Sequence, residues 1–102
     1  KDENIIIDTF QSNTEGEIIN RIQKAYLDGI KGIIINPGAY THYSYAIRDA
    51  LASIDIKKIE VHISNVFARE EMRHHSFLSP VVKGVLCGFG LQGYELAIKS
   101  LL

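Results

Sequence analysis

The chain has 102 residues, of which 46% are hydrophobic and 23% charged, and this ordinary globular composition excludes wholesale disorder. Its 11 basic and 12 acidic side chains give a formal net charge of −1, so no nucleic-acid partner is expected. The length predicts one domain over residues 1–102. Cys87 is the only cysteine and the N-terminal residues lack signal-peptide character, so we predict a cytoplasmic protein. No apolar run approaches the roughly 20 residues that span a bilayer, so no membrane partner is expected.

The first elements in the chain are a strand and an amphipathic helix. Residues 5–7 are a β-branched run, which is typical of a strand covered on both faces. Thr14 and Glu17 have the spacing of a capping box, in which each side chain bonds the other residue's backbone N–H. Apolar residues then recur at helical intervals until Gly29, which predicts the end of the helix.

The strand-then-helix unit recurs along the rest of the chain without repetition of its sequence. The predicted strands lie at residues 32–35, 59–62 and 85–87, and the predicted helices at residues 44–51, 66–73 and 91–102. Alternating units with apolar strands are typical of a parallel sheet sandwiched by helices. We therefore predict the α/β class.

Polar residues and glycines follow three of the predicted strands. Ligands of open α/β sheets bind beyond the carboxyl ends of the strands, so these residues are candidates for a site. They are Asn36, Thr41 and His42 after the second strand, His62, Ile63 and Ser64 after the third, and Gly88, Gly90 and Gly93 after the fourth.

His62 ends its predicted strand just before Ser64 and Asn65, which can open a helix. Amides in the first turn of a helix lack internal partners and carry partial positive charge. A ligand carboxylate can therefore bind the amides of Ile63 and Ser64 while His62 acts as a general acid on another group of that ligand. A purely structural histidine beside a helix cap is the alternative interpretation.

The glycine-rich turn of Gly88, Gly90 and Gly93 matches a dinucleotide-binding pattern. That pattern also requires a complete βαβ unit and an acidic residue about 20 positions further on, and this sequence ends at Leu102. We instead expect a tight turn with close packing of the helix on the sheet.

Several other chemical groups favour a structural interpretation. The spacing of His42, His62, His74 and His75 does not match a zinc site, so no metal is predicted. The three loop tyrosines at positions 40, 43 and 45 are expected to pack or to line a rim rather than to act as bases. Cys87 is expected to be a small core residue. Asp49 follows Arg48 and by default forms an exposed pair with it. Arg73 is the exception, because its guanidinium can donate several hydrogen bonds to a polyhydroxy ligand.

Taken together, the motifs closely resemble type II 3-dehydroquinate dehydratase, in order and over nearly the whole chain. The resemblance is carried by Phe10-Gln11-Ser12-Asn13, Glu15-Gly16, Asn36-Pro37-Gly38, Thr41-His42, Arg48-Asp49, Glu60-Val61-His62-Ile63-Ser64-Asn65, Arg69-Glu70-Glu71 and Gly88-Phe89-Gly90. It implies a flavodoxin-like domain, a trimer-based dodecamer and a hydro-lyase of the shikimate pathway. The implied reaction is an anti elimination of water from 3-dehydroquinate through an enolate, without a cofactor.

The resemblance also implies roles for individual residues. His62 looks like the general acid for the departing hydroxyl, and the amides of Ile63 and Ser64 look like the carboxylate site. Asn36, His42 and Arg73 look like ligands of the ring hydroxyls and carbonyl region of the substrate. The resemblance implies that Asp49 reaches the site of a neighbouring subunit. It also implies that Glu60 is a support that orients the histidines.

One departure from the family pattern concerns the start of the chain. The family begins with a central strand, an Asn-Gly-Pro-Asn motif, and a mobile loop that carries an arginine and the tyrosine base, and none of these is in the sequence. We therefore expect this chain to be the C-terminal part of the domain, inactive and poorly stable alone. The alternative function is that of a non-catalytic α/β module that binds a small carboxylate ligand.

Overall fold

The computed structural model describes residues 6–38, 44–63 and 78–102. Within these ranges three strands form one parallel sheet in the order β1-β2-β3. The strands are β1 (Gly32–Ile35), β2 (Lys57–His62) and β3 (Gly84–Cys87), and the helices are α1 (Glu15–Leu27), α2 (Tyr45–Ala52), a 3₁₀ turn (Ser79–Val81) and α3 (Gln92–Leu101). The predicted helix at residues 66–73 lies outside the described residues. All the other predicted helices, and the three later strands, are confirmed to within about two residues.

Helices cover both faces of the sheet, which explains why β1 is apolar throughout. Ile33 and Ile35 pack on the larger core cluster, which α1 and α2 build, whereas Ile34 packs on a second cluster around α3. Successive strand side chains point to opposite faces, so a strand covered twice needs an apolar residue at every position. The buried members of the larger cluster are Ile22, Ile47, Ala50, Leu51, Ile54 and Leu78.

The central strand β2 divides its side chains between the two faces. Ile59 and Val61 belong to the cluster around α3. The alternation therefore places Glu60 and His62 on the opposite face, where Glu60 is in register with Ile35 of β1. The face that α2 covers thus receives the charged end of β2.

The start of α1 differs from the predicted capping box. Thr14 is the N-cap residue, but its side chain makes no capping hydrogen bond. Ser12 takes this place, since its hydroxyl donates to Glu17 Oε1 at 2.5 Å and accepts from the Thr14 backbone N–H at 3.0 Å. The chain leading into the helix brings Ser12 close to Glu17, and the reciprocal bond between Thr14 and Glu17 is not formed.

The end of α1 follows the prediction from Gly29. This glycine has φ 76°, a left-handed conformation that other residues adopt at a cost. The Gly29 N–H bonds the Tyr26 carbonyl at 3.2 Å, and the Ile30 N–H bonds the Ala25 carbonyl at 3.0 Å. These two bonds are those of a Schellman motif, which satisfies the last carbonyls of the helix.

The predicted strand at residues 5–7 is wrong for Ile6 and Ile7, while Ile5 lies outside the described residues. Ile6 and Ile7 belong to no strand, and they are 92% and 57% exposed. A β-branched run becomes a strand only when a neighbouring strand takes its backbone hydrogen bonds. Among the described residues no strand lies beside this segment, since the sheet contains only β1, β2 and β3 there.

None of the helices in the described part of the chain has the length and apolar character needed to cross a bilayer.

Candidate active site

The carboxyl ends of the three parallel strands meet at one edge of the sheet, and the candidate site lies there. His62 is the last residue of β2 and is only 7% exposed. Its Nε2 atom lies 2.5 Å from Oε2 of Glu60, which is fully buried. Because residues two apart on a strand share a face, the spacing of Glu60 and His62 produces this contact directly.

Glu60 and His62 bring a carboxyl group and an imidazole into contact in the interior of the protein. A buried carboxylate is tolerated when it is hydrogen-bonded, and no buried side-chain polar atom lacks a partner among the described residues. The contact fixes the orientation of the imidazole, as the suggested supporting role of Glu60 requires.

Asn36 follows β1 at the same edge of the sheet. Its Oδ1 accepts a hydrogen bond from the Gly38 backbone N–H at 3.2 Å, and its Nδ2 donates to the Tyr94 hydroxyl at 2.9 Å. Tyr94 belongs to α3, so Asn36 lies on the α3 side of the sheet, whereas His62 lies on the side of α2. The two residues therefore flank the edge from opposite faces.

The turn after β3 is bonded to the segment after β2. The Gly88 N–H donates to the His62 carbonyl at 3.2 Å, and the Gly90 N–H donates to the Ile63 carbonyl at 2.9 Å. Gly88 and Gly90 have φ 86° and 60°, which explains the glycines at these positions. The backbone around Ile63 is thereby held beside the glycine-rich turn.

Close packing of α3 on the sheet, expected from the glycine pattern, is confirmed at Gly93. This glycine is buried, and a Cβ atom added to it would lie 3.2 Å from Cγ1 of Val61. A side chain there would be accommodated only if Val61 or α3 shifted by a few tenths of an ångström. The third glycine of the turn therefore allows close helix-to-sheet contact.

Some of the remaining candidate residues lie at the surface of the described structure, and the others fall outside the residues that the structure describes. Asp49 is exposed on α2, and Ile63 is 42% exposed at the edge of the sheet. Cys87, predicted in the core, is only half-buried. The residues that fall outside the described ranges are Thr41, His42, Ser64, Arg73, His74, His75 and two of the loop tyrosines, Tyr40 and Tyr43.

Tyr94 is a site neighbour that the sequence reasoning did not identify. Its only sequence signal is its position one residue after Gly93, which places it in the first turn of the helix that approaches the strand ends.

Across residues 6–38, 44–63 and 78–102, no three His, Cys, Asp or Glu side chains come together in a way that could hold a metal ion.

Comparisons with known proteins identify the family. The family model described as "Dehydroquinase class II" matches residues 1–102. The 3-dehydroquinate dehydratase of Lachnoclostridium phytofermentans is 69% identical over the whole of this chain, and the match covers 70% of that protein. The 3-dehydroquinate dehydratase of Clostridium beijerinckii is 61% identical, and the match covers 93% of this chain and 65% of that protein. The crystal structure of type II dehydroquinase from Butyrivibrio crossotus superposes with a TM-score of 0.96 at 62% identity, covering 98% of this chain and 70% of that one.

The chain belongs to the class II dehydroquinase family. This membership confirms the resemblance seen in the sequence, together with the flavodoxin-like α/β fold and the assignment to the 3-dehydroquinate dehydratases, which are hydro-lyases. The chain accounts for about two thirds of the length of these relatives.

Proposed function

We propose that these residues supply the acid and the carboxylate-binding part of a 3-dehydroquinate dehydratase site. The observation that supports this proposal best is the buried Glu60–His62 contact at the carboxyl end of β2, in a chain of this family. It places an oriented imidazole at the edge where open α/β sheets bind their ligands.

The proposed chemistry is the elimination of water from a β-hydroxy ketone. A base outside these 102 residues removes the proton next to the ketone, and the electron pair moves into an enolate. As the enolate collapses, the carbon–oxygen bond of the β-hydroxyl breaks, and His62, acting as the general acid, gives that oxygen a proton. Water leaves, 3-dehydroshikimate forms, and the proton that the base took up returns to His62 by way of solvent. Glu60 keeps the ring oriented throughout.

The substrate carboxylate is assigned to the backbone amides of Ile63 and Ser64. The bonds from Gly88 and Gly90 hold the backbone of His62 and Ile63 beside the turn, which favours a preorganised anion site, while Ser64 falls outside the described residues. Asn36, His42 and Arg73 are assigned to the ring hydroxyls and the carbonyl region. Of these three, Asn36 lies at the expected edge, and the other two fall outside the described residues.

The wider organisation follows from the family. We assign residues 1–102 to a single domain, the C-terminal part of a flavodoxin-like dehydroquinase, acting in the cytoplasm without nucleic-acid or membrane partners. The expected assembly is a homo-oligomer, a dodecamer built from trimers. Asp49 is exposed on α2, as a residue that reaches a neighbouring subunit must be before assembly.

The test is substitution of His62 in the complete native polypeptide, with turnover of 3-dehydroquinate as the measurement. Alanine is a poor choice by itself, because it would remove a partner of the buried Glu60 carboxylate and destabilise the fold. Glutamine is the better variant, since its side-chain N–H can still donate to Glu60 while its amide cannot act as an acid. His62→Gln should lower kcat by about 10²- to 10⁴-fold with the unfolding transition retained. Near-normal kcat would remove His62 from the mechanism.

The second candidate function is a non-catalytic module that binds a small carboxylate. It predicts calorimetric binding of quinate-like acids by a complete polypeptide that does not turn over 3-dehydroquinate. Binding of NAD at the glycine-rich turn, with no response to the acids, would contradict both functions.

A further inference from the structure

The side-chain amide of Asn36 is held at both of its ends. The Gly38 backbone N–H lies 3.2 Å from Oδ1, and the Tyr94 hydroxyl oxygen lies 2.9 Å from Nδ2. A backbone N–H can only donate, so the atom that faces Gly38 must be the amide oxygen. This fixes which way the amide points, and it leaves the second N–H of Nδ2 to donate to a ligand oxygen.

Either contact alone would leave the amide less well defined. The Gly38 bond is a local turn bond made within the same loop, and it does not tie Asn36 to the rest of the protein. The Tyr94 bond joins residues 58 positions apart in the sequence and connects the loop after β1 to α3. Asn36 therefore depends on α3 for a fixed position.

The position of Tyr94 depends in turn on the glycine-rich turn. Gly93 lets α3 approach the sheet, because a Cβ atom added to it would lie only 3.2 Å from Cγ1 of Val61, and the Tyr94 ring packs on the cluster that contains Val61. Gly88 and Gly90 adopt the left-handed backbone that leads β3 directly into this helix. The turn that resembles a nucleotide-binding pattern thus brings a tyrosine hydroxyl to the candidate site.

We infer that Tyr94 is a positioning residue for the dehydratase reaction, and that it orients the Asn36 amide so that an N–H of Nδ2 donates to a hydroxyl or carbonyl oxygen of the substrate. The inference rests on the proposed function, because it needs a substrate oxygen beside Asn36. Tyr94 itself acts through Asn36 and is not assigned a contact with the substrate.

The test is a double-mutant cycle in the complete native polypeptide. Tyr94→Phe keeps the packed ring and removes the hydroxyl that accepts from Asn36. Loss of one such bond should lower kcat/KM for 3-dehydroquinate by about 3- to 10-fold. In the Asn36→Ala background the same Tyr94→Phe change should have no further effect, since the amide that it positions is absent. Tyr26→Phe removes the hydroxyl of a half-exposed tyrosine on α1 and should leave kcat/KM unchanged.

The possible outcomes separate the inference from the function on which it rests. A wild-type polypeptide without turnover would contradict the proposed function. A Tyr94→Phe enzyme with wild-type kcat/KM would overturn the inference and leave that function standing. An equal loss in the wild-type and Asn36→Ala backgrounds would also overturn it, because Tyr94 would then act on the fold and not through Asn36.

Discussion

Glu60 and His62 occupy alternate positions on β2, and their side chains meet on the same face of the sheet with Oε2 and Nε2 2.5 Å apart. Glu60 is fully buried and His62 nearly so. The contact therefore serves two purposes at once. It satisfies a carboxylate that would be costly to bury alone, and it sets the direction of the imidazole.

Replacing Glu60 by Gln should separate these two purposes. The Gln carbonyl can still accept from Nε2, so the free energy of unfolding should fall by less than about 1 kcal/mol. It can even rise, because the substitution removes a buried charge. We expect kcat for dehydroquinate to fall by about 10- to 100-fold, since the charge-assisted bond to the imidazole is lost. Glu95→Gln, an exposed residue of α3, is the matched control. A Glu60→Gln enzyme with unchanged kcat would show that the charge has no part in the reaction.

Ser44 should contribute more to stability than its position before α2 suggests. Its buried hydroxyl accepts from the Ile47 N–H at 3.1 Å as an N-cap, and it donates to the Glu15 carboxylate of α1. Ser44→Ala should lower the free energy of unfolding by about 1–3 kcal/mol, measured by urea denaturation. Ser53→Ala removes a hydroxyl at the other end of α2 and should cost less than about 0.5 kcal/mol. Equal losses at the two serines would contradict the link between α1 and α2.

Two glycines test the close approach of α3. Gly16 and Gly93 are both the second residue of a helix, but a Cβ atom on Gly16 meets nothing within 4 Å, whereas on Gly93 it meets Val61 at 3.2 Å. Gly16→Ala should raise the free energy of unfolding by about 0.5–1 kcal/mol through helix propensity. Gly93→Ala should show none of this gain and should lower kcat/KM, because displacement of α3 draws Tyr94 away from Asn36. A stability gain at Gly93 equal to that at Gly16 would mean that α3 adjusts without cost.

Asp49 offers a test of the assembly. If it completes the site of a neighbouring subunit, Asp49→Ala should impair turnover far more than removal of an ordinary surface aspartate would. Co-assembly of Asp49→Ala chains with His62→Gln chains should then restore activity, because some sites receive both intact residues. The measurement is turnover of mixed oligomers verified by native mass spectrometry. Verified mixed oligomers without any recovery would place both residues in a site made by one chain.

The sequence by itself determined most of the local elements and predicted the edge of the sheet at which the candidate site lies. The β-branched run before Asn36 predicted β1, and the left-handed turn at Gly29 and the start of a helix at Ser44 were both legible. These features depend on burial periodicity and backbone conformation, which neighbouring residues encode. The motif around His62 likewise identified the family, because the order of its residues is specific.

Tertiary structure decided which side chains meet. The strand expected around Ile6 finds no neighbouring strand among the described residues, and the cap expected from Thr14 was replaced by a bond from Ser12. The contact between Asn36 and Tyr94 joins residues 58 positions apart. Its existence depends on the register of the sheet and on how closely α3 approaches it. Neither quantity is set by the residues next to Asn36, since the register depends on the pairing of the strands and the approach of α3 depends on the packing of Gly93 against Val61.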